Sequence, residues 1–274
     1  MKITVLVENN TISEALEHRH GLSLYIETGK HRLLFDVGPD DSFIRNAEKL
    51  GIDISAVDSA VISHGHYDHG GGLAAFFAAN SKALVYIRSS GFIPCWSDTG
   101  RYIGLDQELA GSDRFVFTGE DFVIDEQLHL ISGIRERICF PSSNVTLLVE
   151  KNGERVLDDF DHEQALVITE GRQSVLLSGC AHNGIINIIN KAEAVTGRRM
   201  TAVLAGFHMY APSSDKTEDP AVVDRIAALL RERDGMYYSC HCTGTEAFNR
   251  MKGILRERLE YAATGCVFDF PAGE

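Results

Sequence analysis

A chain of 274 residues and 30.2 kDa, 44% hydrophobic and 24% charged, has the balance of an ordinary globular protein with room for one large domain. Its formal net charge of −13 argues against a general nucleic-acid binder, which needs basic surface to displace counterions. No apolar stretch approaches the roughly 18 residues of a membrane span, and the six cysteines form no secreted disulfide framework, so reduced thiols and a cytoplasmic location are expected.

Lys2 to Val7, Leu22 to Glu27 and Arg32 to Phe35 read as short strands separated by turn residues. The first has too short an apolar run for a signal peptide. Asp40 or Asp41 then caps a helix bearing Phe43, Ile44, Ala47 and Leu50, with Gly51 past its end. Ala60 to Ser63 is a buried strand end, Leu73 to Ala79 a helix and Ala83 to Ile87 a strand. Residues 88–143 are less regular. They hold Trp96 and the aromatic residues Phe92, Tyr102, Phe115 and Phe117, with a hairpin expected over Phe122 to Ile131. This stretch is read either as a satellite hydrophobic cluster or as a lid or pocket wall inserted into a single domain spanning 1–274.

The second half is regular again. Strands are expected at Val145 to Val149, Gln164 to Thr169, Ser174 to Ser178, Thr201 to Ala205 and Met236 to Ser239. Helices are expected from Gly184 to Val195, after Asp219-Pro220, and from Thr245 to Leu255. Early hairpin-like strands followed by strand–helix alternation define a mixed α/β layered fold.

The densest chemistry lies in Ser63-His64-Gly65-His66-Tyr67-Asp68-His69-Gly70, with four metal-ligand side chains in six positions. Residues two apart on extended chain point the same way, so His64 and His66 can share one cation. After the glycine-assisted turn, Asp68 and His69 can face a second. Imidazole with carboxylate suits zinc first, with iron or manganese as alternatives. Three later strand ends also carry histidine: Cys180-Ala181-His182, Phe207-His208 and Cys240-His241-Cys242. Strand carboxyl ends are where α/β folds assemble their sites. His18, His20, His31 and His129 read as surface residues. The stretch Asp158 to His162 reads as solvated, with Asp161 or His162 as the members able to approach the site.

His64-Gly65-His66-Tyr67-Asp68-His69 matches the HxHxDH signature of the metallo-β-lactamase superfamily. Together with Leu34-Phe35-Asp36, Gly179-Cys180-Ala181-His182, Gly206-Phe207-His208 and His241-Cys242-Thr243-Gly244, the chain resembles the dihydropterin synthase-like branch. That branch includes 7,8-dihydropterin-6-yl-methyl-4-(β-D-ribofuranosyl)aminobenzene 5′-phosphate synthases. The resemblance implies a four-layer αββα sandwich with two divalent ions at one edge. His64, His66 and a later histidine, placed at His182 with His208 as the alternative, would hold the first; Asp68, His69 and His241 would hold the second. Cys180 stands where many members carry a bridging Asp, and a thiolate there can bridge or ligate.

The expected activity is hydrolysis of an ester-like bond (phosphoester, lactone or thioester) in a small anionic metabolite. A metal-bound hydroxide would attack, with Asp68 orienting it and His208 stabilising developing charge. The alternative implied by the branch is a synthase condensing a pterin diphosphate with an aryl amine, which needs an aromatic pocket such as Phe92, Trp96, Tyr102, Phe207 and Tyr210 could supply. A third reading is an iron redox protein or a catalytically silent sensor. The sequence carries no signal for an oligomeric state.

Overall fold

The computed structural model describes residues 1–273. Two seven-stranded sheets dominate. The first runs, edge to edge, Val267–Asp269, Lys2–Val7, Ser23–Glu27, Arg32–Phe35, Ser59–Val61, Leu84–Arg88 and Phe115–Thr118. The second runs Leu259–Tyr261, Met236–Cys240, Ala202–Gly206, Gln173–Ser178, Ala165–Glu170, Leu128–Ile131 and Phe122–Val123. Each is part antiparallel and part parallel.

Alternation along the strands explains the stacking. Leu33 and Phe35 face the second sheet, while Leu34 between them faces the outer helices Ser42–Lys49 and Leu73–Ala79. Across the interface, Leu166, Ile168, Val175, Leu177 and Leu204 pack inward, and Val167, Leu176 and Val203 pack outward against Ile185–Thr196, Pro220–Arg231 and Thr245–Leu255. With both faces covered, these strands read as nearly continuous apolar runs. Three apolar clusters separate four layers, the expected αββα sandwich.

The helix boundaries follow from local chemistry. The Asp219 carboxylate accepts from the Ala221 amide with Pro220 in the first turn, and Gly197 ends its helix in the left-handed conformation at φ 66°. Among the described residues no helix is long and apolar enough to cross a membrane.

Residues 88–143 are not one insertion. Phe115–Thr118 closes an edge of the first sheet, while Phe122–Val123 and Leu128–Ile131 form the expected hairpin at an edge of the second. Cys95–Ser97 instead joins Leu147–Lys151 and Glu154–Leu157 in a small three-stranded sheet. Only that part rises beside the site.

Candidate metal centre

Parallel register brings the later histidines together. Ser178 lies opposite Ala205, and Gly206 opposite Cys240, so the three strands end level and present Cys180, His182, His208 and His241 at one edge. From the first sheet, Ser59–Val61 delivers His64 to the same edge. The approach is close: a Cβ on Gly179 would stand 2.2 Å from Ser63 Oγ, so only glycine fits there.

Two groups of ligand atoms result. His64, His66 and His182 converge as one, and Asp68, His69, Cys180 and His241 as the other, the atoms of each lying within 4.8 Å of one another. All seven residues are buried. His64 Nε2 faces His182 Nε2 at 3.3 Å, and His241 Nε2 lies 3.1 Å from Asp68 Oδ2. Cys180 Sγ is 3.2 Å from His69 Nε2, and Cys180 also groups with His182 and His208, which places it between the two sets.

The histidines are held from behind. His64 Nδ1 meets Ser63 Oγ at 2.8 Å, His69 Nδ1 meets Asp36 Oδ2 at 2.6 Å, His182 Nδ1 meets Asn144 Oδ1 at 3.1 Å and His241 Nδ1 meets Asn9 Oδ1 at 2.8 Å. Ser63 Oγ donates to Asp36, so it accepts from His64. An oxygen acceptor behind each ring selects the Nδ1–H tautomer and turns the Nε2 lone pair inward. His66 Nε2 is buried with no partner, and neither His208 nitrogen has one. Buried orphan imidazole nitrogens aimed at one another fit a divalent cation and little else.

Electrostatics point the same way for His64, His66, His182 and Asp68, and the opposite way for His69. Burial, reinforced by neighbouring histidines, pushes His64 and His182 well below the usual imidazole range and His66 down to about 3, leaving the neutral metal-binding form. Burial opposes ionisation of Asp68, but His69 and His241 outweigh it and hold its carboxyl well below the usual range. Burial likewise opposes a charged His69, and Asp36 and Asp68 outweigh it, raising it to about 9, so its Nε2 holds a proton at neutral pH that a metal ion would have to displace.

The backbone is strained at the same place. Asp36, Phe160, Ala181, His208 and His241 have φ between 49° and 60°, half of all non-glycine residues with positive φ among those described. Such conformations cost of order 1–3 kcal/mol each and cluster where function over-determines them.

A cavity of about 340 Å³ opens above the ligand groups. His66, Asp68, Cys180, His182, His208 and His241 form its floor. One wall is the small sheet and its turn, including Ser97, Arg101 and Leu147; the opposite wall holds Tyr210 and Pro212.

Of the expected aromatic pocket, Tyr210 lines this cavity. Phe207 is 1% exposed in the core beneath the outer helices, because its side chain points opposite to that of His208. Phe92 packs on Phe115. Trp96 and Tyr102 meet edge to face, the Tyr102 hydroxyl donates to the Leu105 carbonyl, and neither ring lines the cavity.

Two further expectations change. His20 lies at the cavity rim, its Nε2 3.5 Å from Asp68 Oδ2, and the polar turn around it gives no signal of this in sequence. The acidic stretch is only half solvated. Asp159 and Asp161 are exposed, but Asp158 and His162 are buried, joined at 2.9 Å, and His162 Nδ1 accepts from the Gly65 amide beneath His66. His31 and His129 are half-buried away from the site, and His18 is exposed.

A four-layer sandwich with histidine-rich strand ends defines a metal-dependent protein of the metallo-β-lactamase class. The family model described as the metallo-beta-lactamase superfamily matches residues 17–214, and the chain belongs to that superfamily. A crystal structure described as a metal-dependent hydrolase of the beta-lactamase superfamily superposes with a TM-score of 0.85 at 30% identity, covering 98% of this chain and 99% of the other. Two relatives come from Methanocaldococcus jannaschii. An uncharacterized protein is 28% identical over 92% of this chain and 94% of its own length. A 7,8-dihydropterin-6-methyl-4-(beta-D-ribofuranosyl)-aminobenzene-5′-phosphate synthase is 26% identical over 92% of this chain and 90% of its own.

Proposed function

We propose that the protein is a metal-dependent hydrolase that cleaves an ester-like bond, phosphoester, lactone or thioester, in a small anionic metabolite. His64, His66 and His182 would hold one divalent ion and Asp68, His69 and His241 a second, zinc before iron or manganese, with Cys180 between them. The observation that carries this reading is the set of four Nδ1 atoms anchored by oxygen acceptors with their Nε2 atoms facing inward. When bound, such ions supply a water acidified to a pKa of about 7 and Lewis-acid polarisation of the scissile group.

The chain's own groups do the rest. Asp68, kept ionised beside His69 and His241, accepts a hydrogen bond from the attacking water and orients it. His208, with unpartnered ring nitrogens at the cavity floor, donates to the oxygen on which charge develops. Phe160 stacks on the His182 ring at 4.5 Å and keeps water from its back.

The relative named as a synthase supports a second reading, condensation of a pterin diphosphate with an aryl amine. Against it, the cavity offers Tyr67 and Tyr210 but not the wider aromatic surface that reaction needs. Elemental mass spectrometry on wild type and His66→Ala, beside turnover of phosphodiester, lactone and thioester panels, tests the proposal. About two zinc ions per chain, with metal and turnover both falling in the variant by at least about 100-fold in rate, is the expected result. A condensation product without hydrolysis would move the assignment to the synthase, and a metal-free active protein would end both.

A further inference from the structure

One cation on the cavity wall has no counter-charge. Arg101 lies on the turn after Cys95–Ser97, and that segment is tied to the first histidine loop. The Tyr67 amide donates to the Ile103 carbonyl at 2.9 Å, and His66 bridges to Gly104. The guanidinium carbon stands 4.9 Å from the centre of the Tyr67 ring, a cation–π contact that holds it beside the ligand loop. Arg45, Arg88 and Arg250 each pair with a carboxylate. Among the described residues, the Arg101 side chain makes no ion pair and donates no hydrogen bond.

The cavity's charge inventory is short. Asp68 is its one lining carboxylate and is engaged with histidines; Arg101 is its one lining group with a permanent positive charge. Ser97 and Thr99 place hydroxyls on the same turn. On a chain of net charge −13, an unpaired guanidinium at the mouth is where an anion meets attraction rather than repulsion.

We propose that Arg101 anchors the non-reacting anionic end of the substrate, a carboxylate or phosphate carried a few atoms from the bond that is cleaved. The planar fork donates to either group bidentately, with Ser97 or Thr99 adding a hydroxyl donor. Anchoring at the wall and reaction at the floor sets both the length and the charge of the preferred substrate. This rests on the hydrolase reading above.

The test is binding to the zinc-loaded protein by titration calorimetry, using acetohydroxamate, succinyl monohydroxamate and phosphonoacetohydroxamate. All three carry the same metal-chelating head, and the last two add a distal carboxylate or phosphonate. Wild type should prefer an acid-bearing probe over acetohydroxamate by about 10- to 100-fold. The preference should collapse to near unity in Arg101→Ala, stay intermediate in Arg101→Lys, and reverse in Arg101→Glu. Whichever acid gives the larger preference names the anchored group. An unchanged preference in folded Arg101→Ala, or none in wild type while acetohydroxamate still binds, overturns the Arg101 assignment alone. Failure of all three probes to bind overturns the metal reading and this inference with it.

Discussion

Asp36 illustrates how much of this site is carried by side chains that face away from the cavity. It is fully buried, and its two oxygens take the Ser63 amide, the Ser63 hydroxyl and His69 Nδ1, all within 2.7 Å. One carboxylate therefore sets the orientation of His69 directly and of His64 through Ser63. Asp36→Ala should weaken zinc affinity by about 10- to 100-fold, measured by competition with a chelator of known affinity. Asp36→Asn keeps the shape but turns one acceptor into a donor, so it should recover only part of that loss. Equal affinity in all three proteins would mean that His69 is positioned by packing alone.

The segment from Asp158 to Glu163 plays the matching part as an element. His162 holds the Gly65 amide, and the Glu163 carboxylate takes the amides of His182 and Asn183 at 2.6 and 2.8 Å. Arg88 clamps the outside of the turn through the Asp161 carbonyl. Phe160, at φ 57° and 1% exposed, lies flat against His182. The segment thus ties the first histidine loop to the end of strand Gln173–Ser178. Phe160→Ala should cost about 3–5 kcal/mol in urea denaturation and, by freeing the His182 ring, also lower zinc affinity. A stability loss with unchanged affinity would reduce Phe160 to a core residue. His162→Ala should loosen His66 instead, and its expected signature is loss of metal from the first ligand group with the fold retained by circular dichroism.

Taken as a whole, the molecule should not depend on a bound ion to stay folded. Its three apolar clusters are continuous across both sheets, and the ligand residues sit at one edge of them. An ion that binds only the native state adds about 2.7–4.1 kcal/mol at 100 to 1,000 times its dissociation constant. Removing it with a chelator should lower the melting temperature by about 5–15 °C without loss of secondary structure. Calorimetry with parallel circular dichroism checks this; outright unfolding on chelation would show that the edge holds the sheets together.

The ligand-type residues that converge at this edge were legible because their signals are local. Four ligand-type side chains packed into six positions, and glycine-flanked histidines at successive strand ends, need no knowledge of distant contacts. The mixed α/β layering was legible too, from hairpin-like strands followed by strand–helix alternation, while the four-layer αββα arrangement came only with the family resemblance. The supports were not. Asp36 meets His69 across 33 residues and Asn9 meets His241 across 232, and nothing near either partner in sequence marks the pairing. The same holds for the buried half of an acidic stretch, for His20 at the rim, and for Phe207, whose neighbour His208 faces the cavity while it faces the core. Local chemistry names the groups able to bind a cation. Which acceptors stand behind them, which aromatic rings reach the cavity and which unpaired arginine lines it depend on how two sheets close on each other, and only the tertiary structure decides that.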